Sequence, residues 1–379
     1  MDNPIREMVD DPGAAATRLA QSPLVPGIAI AGVGDGAVRV GAAGQAAVDT
    51  RFRPGSITKL VTATLVAQCA EEGLLDLDDP VTRYVDGFDG ITVRHLITHS
   101  SGIDAGDLFV DTGDGDDAVA TYVDLLRDAG RLFEPGRTFS YCNGGFVLAG
   151  HLVSLVRGMP WEDAVRTHLF EPLGMTSSGF ETMDASYTVR SLGPAGGTLV
   201  STAGDMGRFV AAHLAEPSWA WMRDLAAPAP GGVALMKGAG AGWMVWYGSS
   251  RVGGANPGMS GYLAVDERAT CGIAALTNGD QGVNAVAAVL DAGAPAPPDQ
   301  GPPPDDVHQF EGVYASHLMR VTLRVEDGAL TASVDALGMS GASVPLTPQD
   351  ATTFQTMLGP IALFDGLARW RMRVLRRVS

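Results

Sequence analysis

The 379-residue sequence predicts an α/β protein: a mixed domain of strands and helices over residues 1–291, a proline-rich linker at 292–306, and a small all-β domain at 307–379. Three observations carry this reading. A turn at Pro54-Gly55 opens a run to Gly73 that is apolar on nearly every side, the mark of a buried helix. Short apolar strand runs flank a series of helical patterns before and after it. Past residue 292 the texture changes, first to prolines and then to short alternating segments.

Taken in order, residues 1–20 form a polar, partly helical lead-in. Val25–Ala31 and Val38–Gly41 read as strands joined by the turn Gly34-Asp35-Gly36. The buried helix follows, with Gly73 placed to end it. Residues 104–118 are acidic and glycine-rich, the composition of a surface loop. Helical patterns cover 116–130, 144–157, 160–170 and 203–214. Strand patterns cover Trp243–Tyr247, Tyr262–Val265 and Gly272–Leu276, and a last helix runs over about 280–291. The linker holds Pro295, Pro297, Pro298, Pro302, Pro303 and Pro304. In the tail, Arg369-Trp370-Arg371-Met372-Arg373-Val374 alternates with period two, which predicts one half-exposed strand with its arginines on the solvent face.

Composition bounds the function. With 46% apolar and 18% charged residues the chain is that of a soluble globular protein. A formal charge of −17 argues against nucleic acid or an anionic membrane as partner. Met1–Glu7 has no basic or apolar signal region, and no apolar run reaches membrane-spanning length. Cys69, Cys142 and Cys271 are odd in number and sit in apolar segments, as buried free thiols do. A cytoplasmic enzyme is the expectation, with oligomeric state left open.

The chemistry concentrates in Ser56-Ile57-Thr58-Lys59. This spacing puts Lys59 one turn after Ser56 on the same helix face. A serine hydroxyl needs an adjacent base to become a nucleophile, and a lysine in an apolar wall loses solvation until its neutral form becomes accessible. The alternative is a capping serine beside an ordinary surface lysine. Against it stands the scarcity of lysine: Lys59 and Lys237 are the two in the chain, beside 24 arginines. A chain that uses arginine for mere positive charge points to a need for a deprotonating base at Lys59. Tyr141-Cys142-Asn143 lies between an extended segment and a helix. A tyrosine of lowered pKa there can pass a proton between nucleophile and leaving group, and Asn143 can donate to a substrate amide. A buried aromatic and a capping asparagine is the plainer alternative for that pair. His95 and His99 stand four residues apart without the Glu of a His-Glu-x-x-His pattern, so no metal is expected, and no cofactor motif appears in a convincing context.

Ser56-x-x-Lys59 followed by Tyr141-x-Asn143 resembles the penicillin-recognising serine acyl-enzyme family: class C β-lactamases, D-alanyl-D-alanine carboxypeptidases and β-lactamase-like esterases. Arg94–Gly102, Leu169–Met175 and Gly196-Gly197-Thr198 extend the resemblance, which covers most of residues 25–290. It implies a β-lactamase/transpeptidase-like fold, an antiparallel sheet flanked by helices with a helical lobe carrying Tyr141. The tail resembles the lipocalin-like domains attached to some members. The third family motif, Lys or His then x-Gly, falls here on Val252-Gly253-Gly254, where Val252 replaces the polar residue. That departure weakens recognition of a substrate carboxylate at this strand. By resemblance, Val252, Gly253 and Gly254 border the substrate, and the backbone N–H groups of Ser56 and Ala255 form the oxyanion hole.

The implied reaction is acyl transfer through Ser56, from a small-molecule ester or amide donor to an amine or to water. Members resembling this chain include amide-forming transacylases of antibiotic assembly, of the capuramycin type; esterases take the water route. A D-amino-acid peptidase or β-lactamase is the alternative within the family. A non-catalytic ligand-binding module is the alternative outside it.

Overall fold

Gly27–Gly34 is apolar or glycine at every position, so it can be buried on both faces of a sheet. It pairs antiparallel with Ala37–Gly44 across a two-residue turn, Asp35-Gly36, whose φ values of 52° and 74° match the twist of a tight hairpin. The computed structural model describes residues 4–105, 108–182, 188–230, 235–296, 301–336, 339–341, 343–357 and 359–379. Within them this hairpin starts an eight-stranded antiparallel sheet. Its order is Ala37–Gly44, Gly27–Gly34, Cys271–Thr277, Met259–Asp266, Ser249–Asn256, Met244–Trp246, Met236–Ala239 and Ala227–Pro228.

Both faces of the sheet are covered. Ile28 and Ile30 pack with the helices Pro4–Asp10, Pro12–Leu19 and Gly282–Ala292. Ala29, Ala31 and Val33 point the other way, into the main core with Thr58–Glu71 and Ala203–Ala215. Thr58–Glu71 is the predicted buried helix, and residues 58–67 and Cys69 are all buried. Each of its fully covered side chains, such as Leu60, Val61, Leu65 and Val66, contributes about 1.5–3 kcal/mol of transfer free energy. Gly73, at φ 71°, ends it as expected: its N–H donates to Ala70 and that of Leu74 to Cys69, the paired closure of a left-handed helix cap. Ser56 precedes this helix, in a 3-10 turn over Gly55–Ile57, rather than lying in its first α-turn.

Ala118–Leu126, Asn143–Arg157 and Trp161–Val165 build the helical lobe, and Asn143–Arg157 packs directly on Thr58–Glu71. All three cysteines are buried and unbonded to one another. Among the described residues no helix is long and apolar enough to cross a membrane.

Residues 312–377 form a second antiparallel sheet of ten strands, barrel-like around its own core of Tyr314, Leu323, Phe354, Ile361 and Leu375. Here one expectation is corrected. Arg369–Val374 is not one strand but a hairpin between Leu367–Trp370 and Arg373–Arg377, with Trp370 opposite Arg373 and Arg371 in the turn at φ 54°. Period-two alternation passes unchanged through a two-residue turn, and no Gly, Asn or Pro marks this one. Nor do the arginines share a solvent face. Arg369 is fully buried and Arg373 half-buried.

This hairpin docks on the first sheet's side of the molecule. Met372 joins Phe139, Ala227, Met236, Ala239 and Met244 in one apolar cluster, while Leu367 and Val374 meet Leu132 and Phe133. Arg369 Nη2 donates to Thr138 Oγ1 at 2.7 Å and to the Phe139 carbonyl at 2.8 Å.

Candidate active site

The turn holding Ser56 is set by two glycines. Gly55 takes φ 58°, and a Cβ there would stand 2.6 Å from the backbone N of Ala255. A Cβ on Gly254 would stand 2.2 Å from the Pro54 carbonyl and 2.4 Å from the Ser56 backbone N. Both lie far inside contact distance, so the strand Ser249–Asn256 can approach the turn only because neither glycine has a side chain. That approach brings the backbones of Ser56 and Ala255 side by side, the pair expected to offer oxyanion donors.

Lys59 sits one turn into the protein and is 2% exposed. Its Nζ lies 3.1 Å from Ser56 Oγ and donates to the Ala195 carbonyl at 2.5 Å. The same nitrogen lies 4.9 Å from the centre of the Tyr141 ring. Ser56, Lys59 and Tyr141, 85 positions apart at the extremes of the sequence pattern, thus meet at one point. Tyr141 is carried on the extended segment before Asn143–Arg157, whose N-terminus is capped by Cys142 Sγ accepting from the Gly145 N–H at 3.3 Å. Asn143 is the first residue of that helix.

Around Ser56 opens a cavity of about 600 Å³ lined by Tyr141, Asn143, Leu192, Ala255, Asp280 and Arg373, among others. Of the predicted site residues, Ser56, Tyr141, Asn143 and Ala255 line it. Val252 is a correction: its side chain is 4% exposed and packs in the main apolar core rather than lining the cavity. Gly253 faces the ring of Tyr262 and Val283, and Gly254 faces the Ser56 turn. The neighbouring Arg251 turns away to Asp291 at 2.5 Å and the Leu290 carbonyl.

Sequence reasoning missed four contributors. Arg373 brings the cavity a positive charge from the second sheet. Phe109, on the acidic loop read as plain surface, forms an apolar wall. That loop is tied to the site by Ser191 Oγ donating to the Val110 carbonyl and by Arg190 binding Asp116. The Ala195 carbonyl, which holds Lys59, is a backbone group with no residue signal; the Gly-Pro-Ala-Gly-Gly-Thr stretch at 193–198 was its only trace. His99 is the fourth: it stacks on Tyr141 with ring centres 4.4 Å apart and planes 26° from parallel. Burial, then the nearby Lys59 and Arg373, hold its pKa well below the ordinary histidine value. His95 is engaged elsewhere, its Nδ1 accepting from the Thr92 N–H at 3.1 Å. Among the described residues no group of His, Cys, Asp or Glu converges as a metal site.

Known proteins share this arrangement of chain. The sequence pattern of the beta-lactamase family matches residues 14–295. Penicillin-binding protein 4 of Amycolatopsis lactamdurans is 33% identical over 311 residues, 67% of this chain and 81% of that one. Esterase EstB of Burkholderia gladioli is 35% identical over 153 residues, and monacolin J acid methylbutanoyltransferase of Aspergillus terreus is 30% identical over 161. Each of these two matches covers 35% of this chain and 39% of the relative, so the chain spans less than half of either. Among solved structures, that of SurE with D-Leu superposes with a TM-score of 0.78 at 24% identity, covering 100% of both chains. That likeness extends through the second sheet and speaks for the fold. The chain therefore belongs to the beta-lactamase family, with the penicillin-binding proteins and class C β-lactamase-like serine enzymes, and is an enzyme of the serine hydrolase and acyltransferase kind.

Proposed function

We propose that the chain forms an acyl-enzyme on Ser56 and passes the acyl group to an amine, as an amide-forming transacylase, or to water, as an esterase. The observation that carries this reading is Lys59 Nζ, buried and 3.1 Å from Ser56 Oγ at the wall of an open cavity. Lys59, helped by Tyr141, takes the hydroxyl proton as Oγ attacks the donor carbonyl. The tetrahedral oxyanion is received by the backbone N–H groups of Ser56 and Ala255. The proton returns to the leaving group through Lys59 and Tyr141, and the acceptor repeats the sequence in reverse.

Arg373 supports a donor that carries a carboxylate. Valine at position 252 supplies no cation at the third motif, and Arg373 brings a positive charge to the cavity from the second sheet. Phe109 and Leu192 give an apolar surface for the acyl chain. A cavity of this size suits small molecules as donor and acceptor. An amine acceptor makes the reaction one of the amide-forming steps that antibiotic assembly uses, and an acyltransferase and an esterase among the relatives support acyl transfer and hydrolysis alike as chemistry open to this scaffold. Buried free thiols and an acidic surface support a cytoplasmic setting and argue against nucleic acid or membrane as partner.

The test is intact-protein mass after mixing with a panel of activated esters, with Ser56→Ala as control, followed by a chase with and without added amines. An adduct on Ser56 released faster by amine than by water supports the transacylase. Equal release supports the esterase. No adduct from any ester, with ligands still binding, would instead favour a non-catalytic binding module.

A further inference from the structure

His99 carries two local costs at once. Its backbone lies in the left-handed region at φ 56°, which a residue with a side chain seldom adopts without reason. It is also 1% exposed, and its Nε2 has no hydrogen-bond partner, a state uncommon for a buried polar atom. Both costs fall at a residue that grips the Tyr141 segment in three places. The Ser140 N–H donates to the His99 carbonyl at 2.8 Å. The Cys142 N–H donates to His99 Nδ1 at 3.0 Å. Between these two bonds, the imidazole lies flat on the Tyr141 ring.

We propose that His99 is a positioning residue that holds the Tyr141 ring in register with Lys59 and Ser56. Because Nδ1 accepts from Cys142, the ring proton is on Nε2, and the imidazole works as a neutral plate. A second proton would turn Nδ1 into a donor facing the Cys142 N–H and would set a cation beside Lys59. The burial and cationic neighbours that hold this histidine neutral act in the same direction. Phe139 and Phe146 close the ring's other sides, at centre distances of 5.7 and 4.7 Å, so the plate cannot tilt away from Tyr141 without displacing them. An apolar residue would fill the space at lower cost but would lose the Nδ1 acceptor and leave the Cys142 N–H unpaired.

This inference rests on the proposed role of Tyr141, and a double-mutant cycle separates the two. Wild type, His99→Asn, Tyr141→Phe and the double variant are compared in the rate of Ser56 acylation by a p-nitrophenyl ester and by the matching alkyl ester. Asparagine tolerates the left-handed backbone and offers an acceptor near Nδ1 but has no ring. Tyr141→Phe is expected to slow acylation by the alkyl ester about 100-fold or more. His99→Asn should slow it about 10- to 50-fold, hurting the p-nitrophenyl ester less because its leaving group needs little proton delivery. In the double variant the histidine effect should vanish, because it acts through Tyr141. Losses that multiply, or that fall equally on both esters in step with the folded fraction, would overturn the positioning role while leaving that of Tyr141 intact. Should His99→Asn not fold, His99→Phe, which keeps a ring and loses the acceptor, is put through the same cycle with the same two outcomes. A Tyr141→Phe enzyme as fast as wild type would instead overturn the proposed catalytic role itself.

Discussion

Arg373 Nη1 donates to the backbone carbonyl of Tyr141 at 3.1 Å, so a residue of the second sheet is fastened to a residue of the candidate site. The bond does not stand alone. The Tyr141 N–H donates to the Met372 carbonyl at 2.8 Å, and the Val374 N–H donates to Ser140 Oγ at 3.1 Å. The segment bearing Tyr141 is therefore held from one side by His99 and from the other by the 367–377 hairpin. The second sheet thus contributes directly to the surroundings of the candidate site.

Substitution of Arg373 by Gln should consequently separate two classes of donor. Gln removes the charge from the cavity and keeps a hydrogen-bonding side chain. For donors bearing a carboxylate, kcat/KM should fall about 10- to 100-fold, the worth of one charge-assisted contact. For neutral esters of the same acyl group it should change less than about 3-fold. Steady-state kinetics on a matched pair of donors reads the difference, and equal losses on both would mean that Arg373 serves only to fasten the second sheet to the Tyr141 segment.

Lys59 should not tolerate exchange for arginine. Arginine keeps the positive charge but does not deprotonate in proteins, and its planar head is too large for a site closed by the Ala195 carbonyl and the Tyr141 ring. The acylation rate of Lys59→Arg, followed by intact-protein mass, should drop at least about 1,000-fold. A variant that acylates at near wild-type speed would show that Lys59 acts through charge alone.

Gly254→Ala tests the close approach of strand and turn. The added methyl would collide with the Pro54 carbonyl and the Ser56 backbone N, neither of which can rotate out of the way. Overpacking of this kind costs about 1–3 kcal/mol of stability, and the strand must retreat from the Ser56 turn. Acylation should fall about 100-fold or more, as expected when an oxyanion donor is displaced, while denaturant unfolding shows a loss within that stability range. Unchanged acylation would mean that Ala255 lends no donor to the reaction.

Most of this architecture could be read from residue order. The core helix, its glycine stop and the first hairpin follow from local periodicity, and Lys59 lies beside Ser56 as the spacing implies, with Ser56 in the 3-10 turn just before the α-helix. What escaped was carried by groups without a local signature. The Ala195 carbonyl is a backbone atom. Arg373 matters through a domain contact 232 positions from Tyr141, and its strand was misjudged because a two-residue turn preserves alternation. Motif alignment alone assigns Val252 to the substrate, and it fixes a place along the strand but not whether that place is open to the cavity or covered by core side chains.

The fold also carries an acid-sensitive element among residues that do not line the cavity. His213 is fully buried, with Trp243 Nε1 donating to its Nδ1 at 3.4 Å and its Nε2 3.0 Å from Thr64 Oγ1, which itself donates to the Leu60 carbonyl. In this network the imidazole must be neutral, since protonation would set a second donor against the Trp243 N–H. Burial, with a smaller effect from Arg223, pushes its pKa down to about 3. The unfolded chain binds that proton near the ordinary value of about 6.5. Below 6.5 the unfolded state therefore holds the extra proton, and stability falls as pH drops toward 3. For this one group the loss reaches about 2 kcal/mol at pH 5 and steepens to about 1.4 kcal/mol per pH unit. Urea unfolding at pH 7.5 and pH 5 should show it. In His213→Gln the gap between the two pH values should shrink by about that 2 kcal/mol, and a gap that stays the same would assign the acid sensitivity to other groups.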